Sequence, residues 1–258
     1  QWGHDFRPAF LEIGAAMKAL GNPALLALTA TAPADVVADI RRQLGRPRMQ
    51  VVDTGLYRSN LRLQVVQCMS EGEKLDRTLE ALGRARGPGI VYTATVKACT
   101  ALHDALSARG ESVTFYHGRL SKSARAENQE RFMRGDARVM VATNAFGRGI
   151  DNPDLRFVLH YQMPGSLESY YQEAGRAGRD GEGADCALLF ERRDRQVQQF
   201  FLARRYPTVE DLQRVHAALA ESGEPLPIGD LVDRIPGLGR QRATVALQLL
   251  RDNRLARA

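Results

Sequence analysis

Short runs of consecutive apolar residues alternate along this chain with stretches in which apolar residues recur every three or four positions. The first pattern reads as strands and the second as amphipathic helices. Strands are expected at residues 25–28, 61–67, 89–92, 113–116, 138–142, 157–161 and 187–190. Several are apolar on successive rather than alternate residues, as strands covered on both faces should be. Val36, Val37, Ile40 and Leu44 make one helical stripe that stops at Gly45. Ala98, Ala101, Leu102 and Ala105 make another that stops at Gly110. Glycine just past a periodic run is a helix stop. Strand and helix in alternation predict an α/β fold, a parallel sheet with helices on both faces.

The rhythm lapses twice. "RPRMQVVDTGLYRSN", residues 46–60, reads as a linker between two α/β units. After "QQFFLARRYPT" the strand patterns cease. Leu212, Val215 and Leu219 then lie at helical spacing behind a cap offered by Thr208 and Asp211. A second helix carries Ile228, Leu231, Val232 and Ile235 and is closed by "PGLG", and a third begins near Arg240. This end predicts a helix-turn-helix or incomplete winged-helix unit. The expected division is therefore 1–53, 54–202 and 203–258.

Composition narrows the class. With 258 residues, 44% of them hydrophobic, the chain can bury a sizeable core. No run approaches the roughly 18 apolar residues of a membrane span, and no charged segment followed by an apolar run opens the chain. The expectation is a soluble cytoplasmic protein, nucleoid-associated if bacterial, with no membrane partner. Cys68, Cys99 and Cys186 lie far apart, which excludes a CxxC pair and predicts core thiols and no zinc site. The net charge is +6, and only Lys18, Lys74, Lys97 and Lys122 are lysines, so 32 of the 36 basic residues are arginines. Arginine suits bidentate contact with phosphate. A genomic codon bias gives the same excess, so the charge permits a nucleic-acid partner without requiring one.

Candidate chemistry collects at the strand ends. "YYQEAGRAGRDG", residues 170–181, sets Arg176 and Arg179 among glycines just after Gln172. If the helix that starts near Ser166 persists, Gln172, Arg176 and Arg179 share one face. The bare backbone at Gly175 and Gly178 would admit a phosphate or another domain. A frayed helix with solvated arginines is the plain alternative. "VMVATNAFGRGID", residues 139–151, is a buried strand that delivers Thr143, Asn144, Gly149 and Asp151 into a loop, where open α/β sheets bind ligands. A tight turn with Asp151 bonded to its own backbone explains it equally simply. "LALTATAP", residues 26–33, exposes Thr29 and Thr31, and helix capping accounts for part of that. "VYTAT" and "FYHGRL" bring Thr93, His117 and Gly118 to further strand ends. "QWGHDFR" packs Trp2, His4, Phe6 and Arg7 into one run suited to stacking on unpaired bases, or to an ordinary aromatic cluster.

Taken in order, these stretches resemble the motifs of the RecQ family of DNA helicases, motors of helicase superfamily two. "QWGHDFRP" resembles the family's aromatic-rich loop and "LALTATA" its motif III. "GIVYTAT" resembles motif IV, "VATNAFGRGIDNPDLRFVLHY" motif V and "SYYQEAGRAGRDG" motif VI. The resemblance covers about residues 1–200. It implies two RecA-like lobes, with residues 1–53 the tail of the first and 54–202 the second. It implies ATP with Mg²⁺ in the intact protein, and single-stranded and forked DNA as partners unwound 3′ to 5′. By the same resemblance Arg179 is the arginine finger, with Arg176 and Gln172 beside it. Gly149 and Asp151 would meet the nucleotide and the attacking water. Thr93, His117 and Thr143 would face the DNA backbone, with Thr29, Thr31, Gly118 and Asn144 near them. Trp2, Phe6 and Arg7 would couple DNA occupancy to hydrolysis, with His4 beside them on the DNA.

The sequence also departs from that pattern. No GxxxxGK[ST] phosphate loop and no DEAH box occur in it, so the chain by itself is expected not to hydrolyse ATP. Arg148 and Asn152 stand where the family usually has methionine and lysine, and Gly118 where it has alanine. The family's four-cysteine zinc module has no counterpart here. The chain opens on Gln1 directly before motif-like sequence, so it is expected to be a piece of a longer protein. Two rivals remain: a non-catalytic DNA-binding protein that keeps one helicase lobe, and another DNA translocase of the same superfamily.

Overall fold

The computed structural model describes residues 12–29, 33–53, 55, 57–147, 154–253 and 255–256, apart from the side chains of residues 204, 205 and 252. Two compact units divide the chain. One is Tyr57–Gln198, and the other combines Gln1–Leu56 with Gln199–Ala258.

The first unit is built on six strands, β1 (Leu61–Gln67), β2 (Gly89–Tyr92), β3 (Val113–Tyr116), β4 (Val139–Ala142), β5 (Phe157–His160) and β6 (Ala184–Phe190). They form one sheet in the order β1-β6-β5-β2-β4-β3, and every neighbouring pair is parallel. Such a sheet must be covered twice, and its central strands β2, β4 and β5 are buried at every residue. Val91, Val139, Val141, Phe157 and Leu159 point into one core with α3 (Glu71–Arg84) and α4 (Val96–Ser107). Ile90, Tyr92, Met140, Ala142 and Val158 point the other way, against α5 (Lys122–Met133) and α6 (Leu167–Ala174). The period of two along each strand sorts these residues between the layers. Gly89 has no side chain for a packing reason: a Cβ there would lie 2.4 Å from the Phe157 ring.

Each covering helix starts on a capping hydroxyl. Ser70, Thr95, Ser121 and Ser166 accept from the amides of Glu73, Ala98, Ala124 and Ser169. A cap of this kind stabilises a helix by about 1 kcal/mol and sets where the chain turns off the sheet.

In the other unit, α1 (Ile13–Ala19) and α2 (Ala34–Gln43) are followed much later by α8 (Val209–Ser222), α9 (Ile228–Arg234) and α10 (Arg240–Asp252). The helix α7 (Asp194–Arg205) starts in the sheet unit. Thr208 and Asp211 form a reciprocal capping box on α8, as the sequence predicts. Val215, Leu231, Ile235, Leu238, Ala243, Ala246 and Leu250 close a separate core between the last three helices.

Three expectations need correction. Residues 25–28 are not a strand, and Leu26 and Leu28 are 79% and 81% exposed. An apolar run becomes a strand only where a neighbour takes up its N–H and C=O groups, and this run pairs with none among the described residues. On α4 the buried stripe is Cys99, Leu102 and Leu106, while Ala101 faces solvent. Small alanines are tolerated on either side of a helix, so the larger residues decide which face is buried. Finally, α6 stops at Ala174 with Gly175 as its cap, so Arg176 and Arg179 do not continue the face of Gln172. The expected strands at 61–67, 89–92 and 113–116 match β1, β2 and β3 residue for residue.

Candidate functional site

Parallel pairing delivers the ends of β2, β4 and β3 side by side. Ala142 lies opposite both Tyr92 and Tyr116, so Thr93, Thr143 and His117 emerge next to one another at the carboxyl end of the sheet. The Thr93 amide donates to Ala142 O at 2.8 Å, and the Thr143 amide donates to Tyr116 O at 3.1 Å. Only 4–6% of each of these three residues is exposed, while Gly118 and Asn144 beside them are open to solvent. The Thr93 hydroxyl lies 3.4 Å from Ala142 O and 3.3 Å from Thr95 O, and the Thr143 hydroxyl accepts from the Ala145 amide at 3.4 Å. Burial, reinforced by Arg119, holds the His117 imidazole below its ordinary pKa, and its Nδ1 is buried without a hydrogen-bond partner. The N-termini of α4 and α5 open beside this ridge. Their positive dipole ends make it receptive to anions.

The arginine loop lies at the other end of the sheet. In a parallel sheet α6 carries the chain back from the carboxyl end of β5 to the amino end of β6, so residues 175–183 gather where the strands begin. The Gly178 amide donates to Leu155 O at 2.9 Å, just ahead of β5, and Arg156 pairs with Asp180. Arg176 turns toward the segment after β4 and donates from Nη1 to Gly147 O at 2.6 Å. Gly147 has φ +129°, which L side chains rarely adopt, and a Cβ there would also come within 2.5 Å of that guanidinium. Burial raises the Tyr92 phenol well above its ordinary pKa, and the charge of Arg176 partly offsets the effect. The Tyr92 ring stacks on His160 at 5.5 Å, and His160 Nε2 lies 2.9 Å from Glu173 Oε2. Gln172 and Arg179 are exposed.

The connection between β4 and β5 joins these two places. It leaves the carboxyl end at Thr143 and enters the amino end at Phe157, and Arg176 holds it at Gly147 on the way. Four residues of chain and one hydrogen bond thus link Thr143 to Arg176.

Of the remaining candidates, Thr29 is exposed in the other unit. Trp2, His4, Phe6, Arg7, Thr31, Gly149 and Asp151 lie outside the described residues. The three cysteines are buried core thiols, and burial pushes Cys99 up to about 11 and Cys186 up to about 12. Among the described residues, no three His, Cys, Asp or Glu side chains come together as metal ligands.

Two features escaped the sequence reading. Arg58 and Asn60, assigned to a linker, bond the backbone of the arginine loop. Lys74 is wholly buried against Asp194. The clue for both was a polar residue with no solvent-facing reason for its place, at a strand entrance and on the apolar side of a helix.

Residues 73–181 match the helicase conserved C-terminal domain. The chain is 45% identical over 205 residues to the ATP-dependent DNA helicase RecQ of Bacillus subtilis, covering 78% of this chain and 34% of that protein. It is 36% identical over 225 residues to the probable ATP-dependent DNA helicase RecS of the same bacterium, covering 87% of this chain and 45% of that protein. ATP-dependent DNA helicase Q5 of Rattus norvegicus is 37% identical over 222 residues, with 82% of this chain and 23% of the relative covered. The chain thus spans less than half the length of these relatives. Among solved structures, Saccharomyces cerevisiae Dbp5 bound to RNA and ADP BeF3 shares the fold, with a TM-score of 0.57 and 24% identity over 70% of this chain and 49% of that one. A DEAD box protein from Methanococcus jannaschii does so with a TM-score of 0.52 and 24% identity, covering 73% of this chain and 52% of that one.

Proposed function

The chain belongs to the RecQ family of superfamily-two helicases, and on that premise we propose that it is the arginine-finger lobe of an ATP-dependent DNA helicase. The observation that carries this reading is the bond from Arg176 to Gly147 O at 2.6 Å. It ties the arginine loop at one end of the sheet to the segment that begins at the ridge of Thr93, His117 and Thr143 at the other.

In this reading single-stranded DNA lies along the carboxyl-end ridge. Gly118, Asn144 and the amides at the starts of α4 and α5 meet its phosphates, and Thr93 and Thr143 hold the strand ends in register. ATP lies by the arginine loop. Its phosphate cradle comes from sequence outside this chain, which has no GxxxxGK[ST] loop. Arg179 is the exposed cation that reaches the γ-phosphate and stabilises charge on the transferring group, and Arg176 fixes the loop on Gly147. An arginine finger is worth on the order of 10³–10⁵ in rate in other phosphoryl-transfer enzymes. Mg²⁺ would neutralise the phosphates, but the described residues offer no carboxylate cluster to hold it, so no step here depends on it. Hydrolysis removes the anion facing Arg179, and the connection through Gly147 passes the change to the ridge. Forked DNA as substrate, 3′-to-5′ polarity and a cytoplasmic location complete the proposal.

The test is DNA-stimulated ATPase and forked-duplex unwinding by the full-length protein. Arg179→Ala is expected to lower turnover at least about 10³-fold while nucleotide binding persists. Near-normal turnover would refute the reading.

A further inference from the structure

The loop that carries Arg179 is poor in means of holding itself still. Gly175, Gly178, Gly181 and Gly183 interrupt it, and glycine gives up more conformational freedom on ordering than any other residue. Order is supplied from outside the loop. Arg58 Nη2 donates to Ala177 O at 3.3 Å and also to Gly178 O. Asn60 Nδ2 donates to Gly178 O at 2.8 Å and to Glu182 O at 2.8 Å. The clamp is itself braced: Arg58 Nε donates to Asn60 Oδ1 at 3.2 Å, and the Ala184 amide donates to Asn60 O at 3.0 Å. Gly178 sits in the left-handed region at φ +56°, where a Cβ would meet both Asn60 Nδ2 and Glu182 O at 2.6 Å. Loop and clamp therefore fit each other at a distance that only glycine allows.

The clamped carbonyls bracket Arg179, one on the residue before it and one three residues after. A cation helps a phosphoryl transfer most when it arrives already oriented, because misplacement of about 1 Å can cost on the order of 100-fold in rate. We propose that Arg58 and Asn60 are positioning residues for Arg179: they fix the backbone on either side of it so that its guanidinium meets the γ-phosphate without reordering. This rests on Arg179 being the phosphate-contacting arginine.

Steady-state DNA-stimulated ATPase of the full-length protein decides the matter, using Arg179→Ala, Asn60→Ala, Arg58→Ala, Arg58→Lys and the double variant Asn60→Ala/Arg179→Ala. The expected result is a kcat about 10- to 100-fold lower in Asn60→Ala and Arg58→Ala, with KM for ATP within about twofold and partial recovery in Arg58→Lys. The double variant should be no slower than Arg179→Ala alone, and hydrogen exchange of amides 177–182 should quicken in Asn60→Ala while β2 and β4 stay protected. If Arg58→Ala does not fold, Asn60→Ala, which keeps the bonds from Arg58 to Ala177 O and Gly178 O, decides. Turnover lost in Arg179→Ala but kept in Asn60→Ala overturns the positioning role alone, as does a double variant slower than Arg179→Ala. Turnover kept in Arg179→Ala overturns the finger reading and the positioning role with it.

Discussion

Lys74 Nζ lies 2.8 Å and 3.0 Å from the two carboxylate oxygens of Asp194, and none of the Lys74 side chain is exposed. Asp194 in turn accepts from the amides of Glu191 and Met163, both at 3.3 Å. Glu191 stands 3.5 Å from the same ammonium, and Tyr161 presents its ring at 5.5 Å. The pair joins the first turn of α3 to the start of α7, so the covering layer and the exit from β6 share one buried charge network.

Breaking that network from one side should be costly. A buried ion deprived of its partner destabilises by roughly 3–5 kcal/mol, whereas replacing both partners together is often close to neutral. Lys74→Met is expected to lower the opening free energy read by native-state hydrogen exchange at Val91 and Val141 by about that amount. Lys74→Met/Asp194→Leu should recover part of it, since Glu191 still loses its ammonium. Equal loss in the single and double variants would show that the charges do not act as a pair.

His117 supplies a pH dependence whose sign follows from its burial. Its folded pKa is depressed, so the unfolded chain binds more protons as pH falls through the imidazole range. The associated stability is complete above about pH 6.5, the ordinary histidine value, and is lost as pH falls through the folded value. His117→Asn should therefore lose less melting temperature than the parent between pH 7.5 and 5. Parallel melting curves for the two proteins would refute this.

The last helix offers a test of duplex binding. Arg242 is spent inside its own unit, on Asp211 of the α8 capping box, which removes it from the set of arginines free to meet DNA. Arg254 and Arg257 lie outside the described residues. Arg240 and Arg251, both exposed on α10, are the ones expected to touch phosphate. Each such contact contributes about 0.9 to the slope of log affinity against log salt on duplex DNA. Arg240→Ala/Arg251→Ala should flatten that slope by about 1–2, measured by fluorescence anisotropy from 50 to 200 mM salt, and Arg242→Ala should unfold α8 more readily instead. An unchanged slope in the Arg240/Arg251 variant would mark a merely solvated face.

By itself the sequence determined the sheet of the Tyr57–Gln198 unit, the α8 cap and the order of the motifs. Those depend on local periodicity: runs such as "GIVY" and "VMVA" are apolar on both faces wherever they lie, and Thr208 caps through a residue three positions away. It also placed Thr93, His117 and Thr143 at strand ends. Tertiary structure alone decided the rest. Whether residues 25–28 form a strand depends on a neighbour, which periodicity cannot supply. Arg176 and Arg179 looked like one helical face with Gln172, but the helix ends at Ala174 and the return of the chain puts them at the amino end of the sheet. The bonds of Arg58 and Asn60 to residues about 120 positions away, and of Lys74 to Asp194, arise only when parallel strands bring distant segments together. Long-range hydrogen bonds and buried charges have no local signature, because the groups that satisfy them are chosen by topology rather than by spacing along the chain.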